Sequence, residues 1–238
     1  MTAEHVDVAD IAARVRDVRS AIDASAQAAG RDPNSITLVA ASKAQPAAAL
    51  RAAYDAGVRD FGENYANELK AKRDALADLG DVGWHFIGRV QRGNARVIAT
   101  CDLVHGVGSI DQAQALAKEA TKAGRRLPVL LQINVAGEDT KNGFGADDVA
   151  AAIAQVRALG ALEPRGFMAM PLVDDDAALD AAFAVVVALR ARLAPTWAVL
   201  SMGMSSDFER AIAHGATHVR VGTRLFGARP SPAPGGAQ

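Results

Sequence analysis

Residues 36–65 read ITLVAASKAQPAAALRAAYDAGVRDFGENY, and this one stretch sets the architecture. Ile36 to Ala41 is a short apolar run that predicts a buried strand, Pro46 to Ala56 predicts a helix, and Val58 to Phe61 starts a second strand. The alternation continues along the chain. Strand-like runs lie near Trp84 to Ile87, Leu103 to Val107, Pro128 to Val135, Arg165 to Met168, Trp197 to Ser201 and Thr217 to Val221. Helix-like stretches rich in Ala, Leu, Arg and Asp fill Asn67 to Leu79, Gln112 to Ala123, Asp147 to Leu159 and Asp176 to Leu193. Eight strands separated by helices, at roughly 20 to 30 residues per unit, predict a single (β/α)8 TIM barrel, with an open doubly wound sheet as the alternative.

Upstream of this pattern, Val8, Ile11, Val15, Val18 and Ile22 recur at three- and four-residue steps among Arg14, Arg16, Asp17 and Arg19, which predicts an extra N-terminal amphipathic helix. It should end at Gly30, and Asp32-Pro33-Asn34 then turns the chain into the first strand. At the other end, Pro230-Ser231-Pro232-Ala233-Pro234 lacks the apolar content to pack, so the expected organisation is one barrel over 1–229 and a disordered tail over 230–238.

The balance of 26 Lys+Arg against 27 Asp+Glu gives a net charge of −1, which argues against an electrostatic nucleic-acid binder. The single Cys101 cannot form an internal disulfide, and Met1 to Asp10 carries acids where a signal peptide would be basic and then apolar. Asp, Arg, Lys or Gly interrupts every apolar run before the ~18 residues of a membrane span. A cytoplasmic protein is expected, with no membrane partner.

In such barrels the site lies where strands end and loops begin. The first strand ends in Ser42-Lys43. A partly buried lysine there can lose its charge and attack a carbonyl carbon, or it can be a solvated lysine just outside the strand. Phe61-Gly62-Glu63-Asn64-Tyr65 sets an acid, an amide and a phenol at the second strand end; they face a ligand, or Glu63 and Asn64 cap the next helix. In Trp84-His85-Phe86-Ile87-Gly88-Arg89-Val90-Gln91, His85 faces away from both aromatic neighbours and reads as a core histidine. Glu138-Asp139-Thr140-Lys141-Asn142-Gly143 reads as a surface loop.

Leu200-Ser201-Met202-Gly203-Met204-Ser205 and Arg220-Val221-Gly222-Thr223 follow the seventh and eighth strands, where barrels bind phosphate through backbone amides and hydroxyls. Arg220 either points at the same ligand or makes a structural ion pair. A lysine able to form an imine, a phosphate cup and a nearby cation together suggest pyridoxal 5′-phosphate (PLP). Competing motifs are absent. His214 and His218 do not make a zinc-protease helix, and Asp174-Asp175-Asp176 opens a helix, where acids favour the dipole.

These residues resemble a known family. Ser42-Lys43, Phe61 to Tyr65, Trp84-His85-Phe86-Ile87-Gly88, Ser201-Met202-Gly203-Met204-Ser205 with Asp207, and Arg220 to Thr223 with Phe226-Gly227 look like the PLP homeostasis proteins of the YggS/PROSC type, over residues 36 to 229. The resemblance implies a barrel like the N-terminal domain of alanine racemase, with PLP held as a covalent aldimine at Lys43. It also implies that Ser201, Gly222 and Thr223 hold the phosphate, that Arg220 approaches the pyridine nitrogen, and that Asn64 and Met204 line the pocket. Ala44-Gln45-Pro46 stands where Thr-Lys-Pro is more usual, and His105-Gly106 where His-Ser is common.

A cation beside the ring nitrogen disfavours its protonation and weakens the ring as an electron sink. Racemases also supply a second proton donor from a further domain, which this chain, ending just after its eighth strand, is expected to lack. The expected function is therefore PLP buffering or delivery, with PLP-dependent apoenzymes as candidate partners, by a monomer or weak dimer without efficient catalysis. The alternatives are a racemase using Lys43 and either Tyr65 or water, and a Schiff-base aldolase acting on a sugar phosphate.

Overall fold

The computed structural model describes residues 8–135, 142–171 and 175–227. Residues 1–7, Glu138 to Lys141, Asp174 and the 230–238 segment, on which several expectations above fall, lie outside them. The chain forms α1 (Val8–Ala28), β1 (Thr37–Ala41), α2 (Ala47–Asp55), β2 (Asp60–Glu63), α3 (Ala66–Ala75), β3 (Gly83–Phe86), α4 (Ala95–Ile98), β4 (Leu103–Val107), α5 (Ile110–Lys122) and β5 (Leu127–Ile133). There follow α6 (Val149–Ala158), β6 (Leu162–Ala169), α7 (Asp176–Leu193), β7 (Val199–Ser201), α8 (Phe208–Ala213), β8 (His218–Val221) and α9 (Thr223–Phe226). The strands pair in parallel, each with its neighbour in sequence, and β8 closes onto β1, so the barrel replaces the open-sheet alternative.

Helix α1 buries Ile11, Val15, Val18, Ile22 and Ala26, while Val8, the first residue of the expected stripe, is exposed. At about 1.5 to 3 kcal/mol for each large aliphatic side chain, that stripe is enough to dock the helix. It packs against α2, α8 and α9. Because α9 is only four residues long, α1 takes the outer seat over the β8–β1 seam that a full helix after β8 would otherwise fill. The helix closes where expected: Gly30 adopts φ +65°, and the Arg31 N–H donates to the Ala26 carbonyl at 2.8 Å.

Residues in register on parallel strands project to the same face, and contacts across the barrel show which face is interior. His105 of β4 reaches Ser201 of β7, strands that are not neighbours, at 2.8 Å. Ser201 is in register with Met168 and His218; Val39 is in register with both Asp60 and Arg220. The interior therefore has two unlike sides. Leu103, Leu130, Met168 and Val199 make a small apolar cluster, and beside it stand Asp60, His85, His105, Ser201, His218 and Arg220. Barrel interiors are ordinarily filled by branched apolar side chains, so this polar side is the first structural sign of a function.

Gly88, just beyond β3, sets how tightly the strand ends close at the mouth. A Cβ there would lie 2.2 Å from the Asn64 carbonyl oxygen and 2.8 Å from the Asn64 Cα, both backbone atoms. Gly88→Ala should therefore cost about 3 kcal/mol, at the upper end of ordinary overpacking. Urea unfolding checks this against Gly80→Ala, whose Cβ meets nothing within 4 Å and whose midpoint should not move.

Candidate functional site

Lys43 follows β1 in a turn fastened on two sides. Ser42 is buried; its N–H donates to the Gly62 carbonyl at 3.0 Å and its hydroxyl to Glu63 Oε1 at 2.5 Å. From α3, Lys72 Nζ donates to the Ser42 carbonyl at 2.7 Å, to Glu63 at 2.7 Å and to Glu68 at 2.9 Å, while Glu68 accepts the Ala44 N–H at 2.8 Å. Ala44 has φ +60°, a conformation that costs a residue with a Cβ free energy and that these bonds maintain. Lys43 shares parity with the inward Val39 and Ala41. No carboxylate pairs with it among the described residues, and its amine lies 5.4 Å from the centroid of the Tyr65 ring.

Glu63 is neither ligand-facing nor a helix cap, contrary to both sequence readings. It shares parity with Phe61 on the outer face of β2, and the residue at the cap position of α3 is Tyr65, with no side-chain hydrogen bond. Burial raises the Glu63 pKa despite Lys72 and Ser42, and its Oε2 has no partner.

On the opposite wall, Arg220 is buried and donates to the Ser201 carbonyl at 2.8 Å, the Ser201 hydroxyl at 2.5 Å and the Ala169 carbonyl at 3.0 Å. It makes no direct ion pair among the described residues, and burial lowers its pKa to about 10. A guanidinium has more N–H groups than these three bonds use, so donors remain for a ligand acceptor.

Ser201, expected at the phosphate, faces the barrel interior in this structure. Its side chain is fully buried beneath the loops and taken up by Arg220 and His105. Ser205, on the loop itself, is the hydroxyl beside the eighth-strand loop: its Oγ accepts the Gly222 N–H at 3.2 Å and so ties the two loops together. Met204 is held by its N–H, which donates to Asp207 Oδ1 at 2.5 Å. Thr223 is exposed and begins α9, where first-turn N–H groups have no acceptor within the helix. Gly222 is pressed against β1, where its Cβ would lie 3.0 Å from the Ala41 carbonyl, and this brings the loop to within two residues of Lys43.

Asn64 lines a cavity of about 440 Å³ with Tyr65, the ring that Lys43 approaches, and with Gly88, Arg89, Gln91 and Asn94. Neither Lys43 nor Arg220 lines it. His85 is a satisfied core histidine, as expected, and His214 closes α8. His218, read as flanking a helix end, begins β8 inside the barrel, its ring centroid 6.2 Å from those of both His85 and His105. Asp175 caps α7 by accepting the Ala178 N–H, so the described part of the acidic run serves the helix.

One end of the barrel thus collects an uncommitted amine, two joined loops with backbone N–H and hydroxyl groups, and a buried cation with spare donors. This donor set fits a molecule bearing an aldehyde, a phosphate and an unprotonated ring nitrogen. Among the described residues no helix is long and apolar enough to cross a membrane.

The comparisons agree with that chemistry. The chain matches the family described as "Alanine racemase, N-terminal domain" over residues 6–230. The "Pyridoxal phosphate homeostasis protein" of Pseudomonas aeruginosa is 46% identical over 230 residues, 96% of each chain. That of Escherichia coli K12 is 41% identical over 231 residues, covering 92% of this chain and 97% of the relative. PipY of Synechococcus elongatus, in a structure with PLP bound, is 38% identical with a TM-score of 0.78, over 91% of this chain and 100% of that one. Alanine racemase from Streptomyces coelicolor, 22% identical, shares the fold with a TM-score of 0.71, over 95% of this chain and 60% of the racemase. The chain belongs to the PLP homeostasis protein family, built on the barrel of the alanine racemase N-terminal domain.

Proposed function

We propose that this protein binds PLP at the C-terminal end of its barrel and buffers or delivers it within the cell, without efficient catalysis of its own. The observation that carries this reading is the Lys43 amine, without a carboxylate partner among the described residues and held in a fastened turn beside the phosphate-type loops. Lys43 would bond the aldehyde carbon. Ser205, Gly222 and Thr223 would hold the phosphate, Arg220 would donate to the ring nitrogen, and Met204 and Asn64 would border the pocket. The name of the curated relatives and the PLP-bound PipY structure support it.

When bound, PLP supplies an electrophilic carbon and a conjugated ring able to accept electrons. The chain's own residues restrain that capacity. Arg220 can only donate, so it keeps the ring nitrogen unprotonated. Tyr65 is 48% exposed and stands on the same side as Lys43, so a second, sequestered acid for racemisation is not evident in the described residues.

Titration with PLP followed by ultrafiltration should show about one equivalent retained per chain, and the loaded protein should restore activity to an apoenzyme that requires PLP. Alanine racemisation by the same sample should stay far below the ~10 s⁻¹ typical of enzymes. Racemisation at that rate, abolished by Lys43→Ala, would replace the carrier reading with the racemase.

A further inference from the structure

The barrel interior holds a continuous line of hydrogen bonds for which the PLP site itself gives no reason. From the mouth, Arg220 donates to Ser201 Oγ; Ser201 Oγ lies 2.8 Å from His105 Nδ1; His105 Nε2 lies 2.8 Å from His85 Nδ1; and His85 Nε2 lies 3.0 Å from Asp60 Oδ1. Asp60 begins β2, two strands from Arg220 across β1, with its side chain 32% exposed.

With both imidazoles taken as neutral, the chemistry of the two ends fixes the direction of every bond between them. Arginine can only donate and a carboxylate can only accept. His85 therefore carries its proton on Nε2 and, as a neutral ring, accepts at Nδ1. His105 must then donate from Nε2 and accept at Nδ1, which requires the Ser201 O–H as donor. Ser201 is left with a lone pair facing Arg220, which that guanidinium fills. In this arrangement both imidazoles are Nε2–H tautomers, and no proton in the line is missing or duplicated. His105 is fully buried beside Arg220, His85 and His218, surroundings that oppose a further charge.

We propose that Ser201, His105 and His85 are positioning residues, a directional column that ties the buried Arg220 guanidinium to the Asp60 carboxylate and thereby fixes the N–H groups Arg220 presents at the mouth. A buried cation without a direct ion pair is costly; Asp207 is the carboxylate whose charge favours it, and the column adds oriented hydrogen bonds on the barrel side while leaving the ligand-facing donors free. This role at the ring nitrogen rests on the PLP reading above, whereas the column itself is a property of the protein without ligand.

The test has two arms. In ligand-free, ¹⁵N-labelled wild-type protein, long-range imidazole correlation spectra near neutral pH should show His85 and His105 as neutral Nε2–H tautomers. Ser201→Ala should keep His105 as the Nε2–H tautomer, which is set from the Asp60 side, but should shift its Nδ1 resonance as the accepted hydrogen bond is lost. An Nδ1–H or doubly protonated ring at either position in wild type would overturn the column whether or not PLP binds. In PLP-loaded protein, Ser201→Ala and His105→Phe should retain borohydride trapping at Lys43 but shift the visible absorption band and weaken PLP binding about tenfold. Wild-type affinity and spectrum in both variants would overturn the positioning role. Failure of wild type to bind PLP would instead refute the functional reading and leave the tautomer result standing.

Discussion

Lys43→Ala should eliminate the borohydride-stable pyridoxyl group, taking incorporation from about one per chain to none, while the barrel unfolds at an unchanged urea concentration. The reason is the separation between the amine and the groups that build its turn. The Ser42 carbonyl, the Ser42 hydroxyl and the Ala44 N–H carry the contacts to Lys72, Glu63 and Glu68. The Lys43 side chain contributes only the approach to Tyr65. Removing it deletes the nucleophile and leaves its support in place. The loops around Ser205, Gly222 and Thr223, together with Arg220, would still bind the phosphate and ring, so PLP should remain bound more weakly, by on the order of a hundredfold or about 3 kcal/mol. Absorbance with and without borohydride, followed by mass measurement of the intact chain, distinguishes the two states. A pyridoxyl group retained on Lys43→Ala protein would place the reactive amine elsewhere and remove the central residue of the reading.

The same turn shows what the sequence disclosed and what it concealed. Apolar runs alternating with Ala-rich helices were enough for the closed barrel, because burial of both sheet faces and the helical period are local properties of the chain. Lys43 and Arg220 stood out because they sit at or just beyond strand ends, where a barrel places its site, and the positions of strand ends survive errors of a residue or two. Glu63 depends on the face of the strand instead. Phe61 packs on the outer face of β2, and Glu63 shares its parity, which sends it toward α3 and Lys72 and away from the ligand side. Ser201 and Ser205 differ only in which side of the mouth they occupy, a distinction decided where β7 ends. The column could not be read at all, because Asp60, His85, His105, Ser201 and Arg220 come from five strands and meet only across the closed interior.

That interior also makes the protein sensitive to acid. Burial, together with His85 and Arg220, lowers the His218 pKa to about 4, and His105 is held well below its ordinary value of 6.5 by burial and its cationic and imidazole neighbours. In the unfolded chain both rings titrate near 6.5. Between about pH 6.5 and pH 4 the unfolded state therefore binds protons that the native state refuses, so stability is complete above this window and falls as the pH descends through it. His218 alone accounts for about 3 to 4 kcal/mol, from the fall of its pKa from 6.5 to about 4, and His105 acts in the same direction. Glu63 opposes them: its raised pKa favours the folded state as pH falls, although Lys72 and Ser42 offset part of its burial cost. Two imidazoles against one partly compensated carboxyl leave the histidines dominant. Urea midpoints should fall steeply from pH 7 to pH 4.5, and His218→Gln, which keeps a polar side chain without a titrating ring, should flatten the slope. A midpoint independent of pH over this range would mean that His218 is charged in the folded protein, and the neutral interior on which the Arg220 column depends would no longer stand.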